Sequence, residues 1–201
     1  MIKNIVFDMG KVLVGYDGGI VVDHYLQDPD AQRLVYNTIF CSQEWLWLDM
    51  GILSEEEALK RMLSRLPEEL QEAASSCFWE WDRYNMWTIK AMDPIIRRLK
   101  ASGKRIYLCS NASVRLHQCY DFLLPAVDCF DGILFSAEEK CVKPQRQLYE
   151  RFFARFGLKP EECFFIDDVP MNIEGARACG MDGYCFRDGD LKKLSALLES
   201  L

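Results

Sequence analysis

The stretch Cys163-Phe164-Phe165-Ile166-Asp167-Asp168 decides how this chain is read. Four apolar residues without alternation mark a strand buried on both faces, and the run stops abruptly on two acids. Pro170 to Cys179 then reads as a helix ended by Gly180. The same unit recurs on either side. Asp93-Pro94 opens a helix that Gly103 closes, Lys104 to Cys109 is a strand, and a helix is expected from about Ser113 to Phe122. Gly132 to Phe135 is another strand, and Gln145 to Phe156 is a helix closed by Gly157. A short strand at Tyr184 to Phe186 and a last helix from about Asp190 complete the series. Short apolar strands, each followed by a helix, predict an α/β fold: a doubly wound, Rossmann-like parallel sheet.

Ahead of these units, Ile2 to Phe7 is a first strand that ends at Asp8-Met9-Gly10. A crossover to the next parallel strand needs little more than a dozen residues, which the helix at 93–102 supplies. The chain from 15 to 88 is therefore an insertion. It reads helical: Ser54-Glu55-Glu56-Glu57 is a capping box, and Leu59, Met62, Leu63 and Leu66 follow at helical spacing. Asp28-Pro29 and Pro67-Glu68 mark further helix starts. The expected organisation is a core of 1–14 and 89–201, with a small helical-bundle cap of about four helices over 15–88. All five tryptophans, at 45, 47, 79, 81 and 87, fall in the insertion. A bundle this small needs large apolar side chains, and one or two of these rings can also face a cleft and stack on substrate.

Composition narrows the function classes. Lys and Arg number 24 against 31 Asp and Glu, a net charge of −7 over 201 residues, with no basic block. A nucleic-acid partner calls for a basic stripe, so none is expected. No apolar run approaches the roughly 18 residues of a membrane span, so no membrane partner is expected either. Asp8 interrupts the apolar start too early for a secretory signal. Nine cysteines are scattered among apolar neighbours with no metal-binding spacing, as in a reducing compartment, and a cytoplasmic location is expected. Oligomeric state is not legible.

In an open parallel sheet, ligands bind at the carboxyl ends of the strands. Those ends carry Asp8, then Ser110-Asn111, then Lys143-Pro144, then Asp167-Asp168. Three carboxylates and one ammonium leave a formal −2, which would reject an anionic substrate unless a divalent cation joined them. Mg²⁺ suits oxygen ligands and leaves coordination positions for phosphate oxygens. Ser110, a backbone N–H at the helix start near 113, and Lys143 can then hold a phosphoryl group, with Asp8 left as the nucleophile.

These residues resemble the haloacid dehalogenase-like hydrolase superfamily along the whole chain. The likeness rests on the strand into Asp8, on Leu108-Cys109-Ser110-Asn111, on Val142-Lys143-Pro144, and on Phe164 to Asp168 with Asn172-Ile173-Glu174-Gly175-Ala176 behind it. The helical insertion is similar to that superfamily's cap. The resemblance implies an aspartyl-phosphate on Asp8 and Mg²⁺ held by Asp8, the Gly10 carbonyl and Asp168, with Asp167 acting through water. It implies Ser110, Asn111 and Lys143 as binders of the phosphoryl oxygens of a small phosphorylated metabolite.

Most phosphatases of the superfamily carry a second Asp two residues after the nucleophile, as general acid and base; here that position is Gly10. Asp8 to Val14 and Trp47 to Glu55 resemble the branch that includes alpha-D-glucose-1-phosphate phosphatases. Loss of a general acid worth about 10² to 10⁴ in rate favours anomeric sugar, aryl or acyl phosphates. Asp17, at the entry to the insertion, is the expected substitute proton donor, and Lys11 can add positive potential. His24 and His117 lack ligand spacing and are expected to be structural or cap-surface residues. Two other readings share the pattern: a metal-free 2-haloacid dehalogenase-type hydrolase, and a non-catalytic phosphate-binding regulatory module.

Overall fold

The computed structural model describes residues 1–201. Strand β1 (Asn4–Phe7) leads into a short strand β2 (Val14–Tyr16) and five helices: α1 (Gly19–Tyr25), α2 (Pro29–Phe40), α3 (Gln43–Asp49), α4 (Glu55–Leu63) and α5 (Glu68–Tyr84). Strand β3 (Met86–Thr88) follows, then α6 (Asp93–Ala101), β4 (Arg105–Ser110), α7 (Tyr120–Leu123), β5 (Phe130–Phe135) and α8 (Ser136–Glu139). The chain ends through α9 (Arg146–Phe156), β6 (Cys163–Asp167), α10 (Pro170–Ala178), β7 (Asp182–Cys185) and α11 (Leu191–Glu199).

Strands β5-β4-β1-β6-β7, in that order, form one sheet in which every pairing is parallel. The lack of alternation in the sequence has its cause here, because both faces are covered. Ile5, Phe7, Ile106, Leu108, Phe164 and Ile166 point to one face, under α6 and α11. Their neighbours Val6, Tyr107, Cys109, Cys163 and Phe165 point to the other, under α9 and α10. The first of these cores continues without a break into the insertion, where Val21, Val35, Ile39 and Phe78 belong to the same apolar cluster. The chain leaves β1 for β4 and β5 on one side, then returns to β6 and β7 on the other. Asp8, Ser110 and Asp167 consequently stand at the switch point, at adjacent strand ends.

The helix starts read from sequence are made by the expected side chains. Asp28 accepts from Ala31 N at 2.9 Å, Ser54 from Glu57 N at 3.2 Å, and Asp190 from Lys192 N at 3.0 Å. Three expectations differ from the structure. The segment from Ser113 to Phe122 is no α-helix but a 3-10 turn (Val114–Gln118) and the single turn α7. Its Arg115 is drawn away to the insertion, where Nε lies 2.6 Å from Glu55, one terminal amine donates to Trp79 O at 2.8 Å, and the guanidinium stacks over Trp79. The insertion holds five helices rather than about four, because the short α1 escapes any helical period of its own. Strand β7 starts two residues early, since Gly183 lies where a Cβ would come 2.5 Å from Phe165 O; close backbone approach, not a turn, is what this glycine serves.

The insertion joins the core through an antiparallel ribbon in which Val14, Gly15 and Tyr16 pair with Thr88, Trp87 and Met86. Trp87 lies across Gly15, at a place where any Cβ would fall 2.1 Å from the indole. Arg115 is a buried polar link between core and insertion, its side chain 8% exposed. Arg115→Met should lower the free energy of unfolding by about 1–3 kcal/mol, because Glu55 is left without its partner. Urea denaturation checks this, and an unchanged midpoint would remove Arg115 from the account of how the two parts are held.

Candidate active site

Lys143 stands at the centre of the four sequence-predicted strand ends. Its Nζ is 2.7 Å from Asp8 Oδ1 and 2.6 Å from Asp167 Oδ2, and its side chain is 1% exposed. Burial alone would drive the proton off this amine, but the two carboxylates reverse that and hold its pKa above the ordinary lysine value. Burial also pushes Asp8 up, to about 6, against the opposing pull of Lys143. Two of the three ammonium donors are spent on carboxylates, which leaves one for another oxygen.

The loop carrying Lys143 is held by Asn111. Asn111 Oδ1 accepts from Lys143 N at 2.7 Å, and its Nδ2 donates to Lys143 O at 3.0 Å. Expected as a phosphoryl binder, Asn111 lines the site, yet its amide is turned back to set the lysine's backbone. Asp167, fully buried, is equally engaged. Its Oδ1 accepts from Val169 N at 2.8 Å, and Asn172 Nδ2 donates to both of its oxygens at 3.0 Å. Asn172 was part of the sequence motif without a role of its own; its spacing of five from Asp167, one helical entry further on, is the signal that could have assigned it.

Oxygens of Asp8, Asp167 and Asp168 lie within 4.8 Å of one another, so the three acids can hold a metal ion. Asp168 is half-buried, and burial together with Asp167 raises its pKa. Against the formal −3 of these acids stands Lys143, and this hard-oxygen set fits a divalent cation such as Mg²⁺. Gly10 lies beside the set with open space where a side chain would be. Lys11, in the left-handed region at φ 58°, turns the chain tightly after it and also lines the site.

A cavity of about 300 Å³ opens above this group. Asp8, Gly10, Lys11, Ser110, Asn111 and Asp168 form its floor, and Tyr16, Tyr36, Phe40, Trp45, Trp81 and Met86 its roof. The roof is an edge-to-face series, with Trp45 and Trp81 centroids 5.2 Å apart and Phe40 and Trp45 4.9 Å apart. Trp45 and Trp81 face the cavity, while Trp79 packs against Arg115 and Trp87 lies on the ribbon. The 3-10 turn near Ser113 presents no helix N-terminus to the floor, contrary to expectation.

Asp17 is not brought to the site. It is exposed, its Oδ1 accepts from Gly19 N at 2.9 Å at the start of α1, and it does not line the cavity. An Asp followed by two glycines satisfies its own turn first, and that local bond fixes the side chain outward. The carboxyl that does line the cavity from the insertion is Asp49, which no sequence argument singled out. His24 bonds to Tyr84 and His117 to Glu138, as expected of structural histidines.

Comparison with known proteins agrees with this geometry. Haloacid dehalogenase-like hydrolases match this chain over residues 2–180. A sesquiterpene phosphatase of Aspergillus oryzae is 27% identical over 92% of this chain and 90% of its own length. A D-ribitol-5-phosphate phosphatase of Bacteroides thetaiotaomicron is 26% identical over 92% and 91%. A haloacid dehalogenase family enzyme of Bacteroides thetaiotaomicron, crystallised in its wild-type form with magnesium and inorganic phosphate, superposes with a TM-score of 0.70 over 92% and 93% at 20% identity. The narrower likeness to glucose-1-phosphate phosphatases rests on the two sequence segments alone. No helix is long and apolar enough to cross a membrane. With nearly nine-tenths of its length matched and its acids and lysine gathered at one sheet edge, the chain belongs to the haloacid dehalogenase-like hydrolases.

Proposed function

We propose that this enzyme is a magnesium-dependent phosphomonoesterase that transfers the phosphoryl group of a small metabolite to Asp8. The observation that carries this reading is the placement of Lys143 between Asp8 and Asp167, with Asp168 in range of a shared ion. Asp8, the Gly10 carbonyl and Asp168 would hold Mg²⁺, with Asp167 behind them. When bound, the ion supplies positive charge to the phosphoryl oxygens and makes an anionic substrate acceptable. A structural neighbour with magnesium and phosphate supports the choice of ion.

The chain's own residues divide the remaining tasks. Asp8 is kept in register by its N–H, which donates to Ile166 O at 2.8 Å, and so presents its carboxylate from a rigid strand end. Lys143 offers its remaining donor to a phosphoryl oxygen, and Ser110 its hydroxyl. Asn111 keeps Lys143 in place, and Asn172 keeps Asp167 in place. The roof offers rings and two phenols but no cation, which fits a neutral leaving group such as a sugar better than one bearing a second phosphate.

Phosphate release from a panel of phosphorylated metabolites, with an aryl phosphate included, tests this directly. The expected outcome is release that requires Mg²⁺ and falls to background in Asp8→Asn. Halide release from a 2-haloacid in EDTA, without phosphate release, would assign the dehalogenase chemistry instead. Lys143→Met should cost about 3–5 kcal/mol of stability near pH 7, since it leaves Asp8 and Asp167 as unpaired buried charges. Asp8 is already raised by burial against the pull of Lys143, and without the ammonium it rises further, so the folded variant binds more protons than the unfolded chain and the loss shrinks as pH falls toward 5. Urea unfolding at the two pH values measures it; a loss independent of pH would contradict the assigned charge balance.

A further inference from the structure

An alkoxide is a poor leaving group, and its departure from phosphorus needs a proton. No carboxyl at the strand ends is left free to supply one. Position 10 has no side chain, Asp8 is the acceptor, Asp167 is enclosed by protein donors, and Asp168 would hold the ion. In-line displacement puts the leaving oxygen opposite Asp8, toward the roof and the seam between insertion and core.

At that seam lies Asp49, the last residue of α3 and the one carboxyl that the insertion contributes to the cavity wall. It is held in place from the core. Ser136 Oγ donates to Asp49 O at 2.5 Å and accepts from Ala112 N at 2.9 Å, and the Ser113 backbone, near the carboxylate, offsets part of the effect of its burial. Two residues on, Gly51 at φ 64° presses against α8, where a Cβ would come 2.2 Å from Ala137 O, and Lys140 Nζ donates to Gly51 O. These ties across the seam fix the backbone of this one acid relative to the strand ends.

We propose that Asp49 protonates the leaving oxygen as Asp8 attacks. This rests on the phosphatase reading and adds the proton donor to it. The bond from Asp8 Oδ to phosphorus forms, the ester P–O bond breaks, and its electron pair goes to the leaving oxygen, which takes the Asp49 proton and departs as an alcohol. Water then attacks the phosphorus of the aspartyl-phosphate, gives a proton to the Asp49 carboxylate, and displaces Asp8 to yield inorganic phosphate. Burial pushes the Asp49 carboxyl up to about 7, so a large share of it holds a proton near neutral pH, and in that form it does not repel an incoming phosphate. The phenols of Tyr16 and Tyr36 share the roof, but burial raises both pKa values and makes them far weaker acids.

Single-turnover release of the leaving group, with Mg²⁺ present, separates this step from the hydrolysis that follows. Asp49→Asn should slow alcohol release from a primary alkyl phosphate by about 10²- to 10⁴-fold. It should slow nitrophenol release from nitrophenyl phosphate by less than a tenth of that factor, because a phenolate leaves without a proton. The aryl ester also reports that the variant is folded and loaded. Equal losses on the two esters, or no loss on the alkyl ester, would overturn the role of Asp49 while leaving the phosphatase reading intact. A wild-type protein that releases phosphate from neither ester overturns that reading and this one with it.

Discussion

One buried ammonium is the constraint around which the site is built. Lys143 is almost without exposed surface, and removing a cation from water is costly enough that it must be matched on the spot. Asp8 and Asp167 match it at 2.7 and 2.6 Å, from the ends of two adjacent strands. The lysine itself arrives on a loop that lies beyond a third strand. Because its charge has to be met by both acids at once, the strand ends cannot drift apart, and the cation acts as a gauge for their spacing. The same requirement explains the amides around it. Asn111 clamps the lysine's own peptide groups, and Asn172 spans both oxygens of Asp167.

That cluster sits on a scaffold with two apolar cores, one on each face of the sheet. The sheet has two apolar faces; one is closed by α9 and α10, and the other runs past α6 and α11 into the helical insertion. The insertion is therefore not a separate bead on a linker. It shares a core with the sheet, is pinned by Arg115, and presses its 49–51 corner onto α8. The cavity exists because the seam between these layers is sealed at its edges and left open over Asp8.

Much of this could be read from the residues alone. An unbroken apolar run such as Cys163 to Ile166 has no other stable place than the middle of a covered sheet, and the polar residue that ends such a run falls at the sheet's edge by necessity. Asp8, Ser110, Asp167 and Asp168 were legible for that reason. Long-range pairings were not. The ribbon of three residues per strand has too few positions for a period, and Gly15 and Gly183 look like turns until a neighbouring ring or carbonyl is seen against them. The segment after Ser113 has helical composition, yet the ion pair of Arg115 with a residue sixty positions away outweighs that local preference. Asp17 and Asp49 exchange places for the same reason. The first lies near the nucleophile in sequence but is captured by its own turn, and the second is brought to the cavity only by contacts with α8.

The ribbon of β2 and β3 is the sole passage by which the backbone enters and leaves the five-helix layer, and its two strands are hydrogen-bonded to each other. Tyr16 and Met86 face each other in that ribbon and also line the cavity. The stem that ties the insertion to the core is thus itself part of the chamber wall, and a substitution that displaced it would reshape the walls along with the connection.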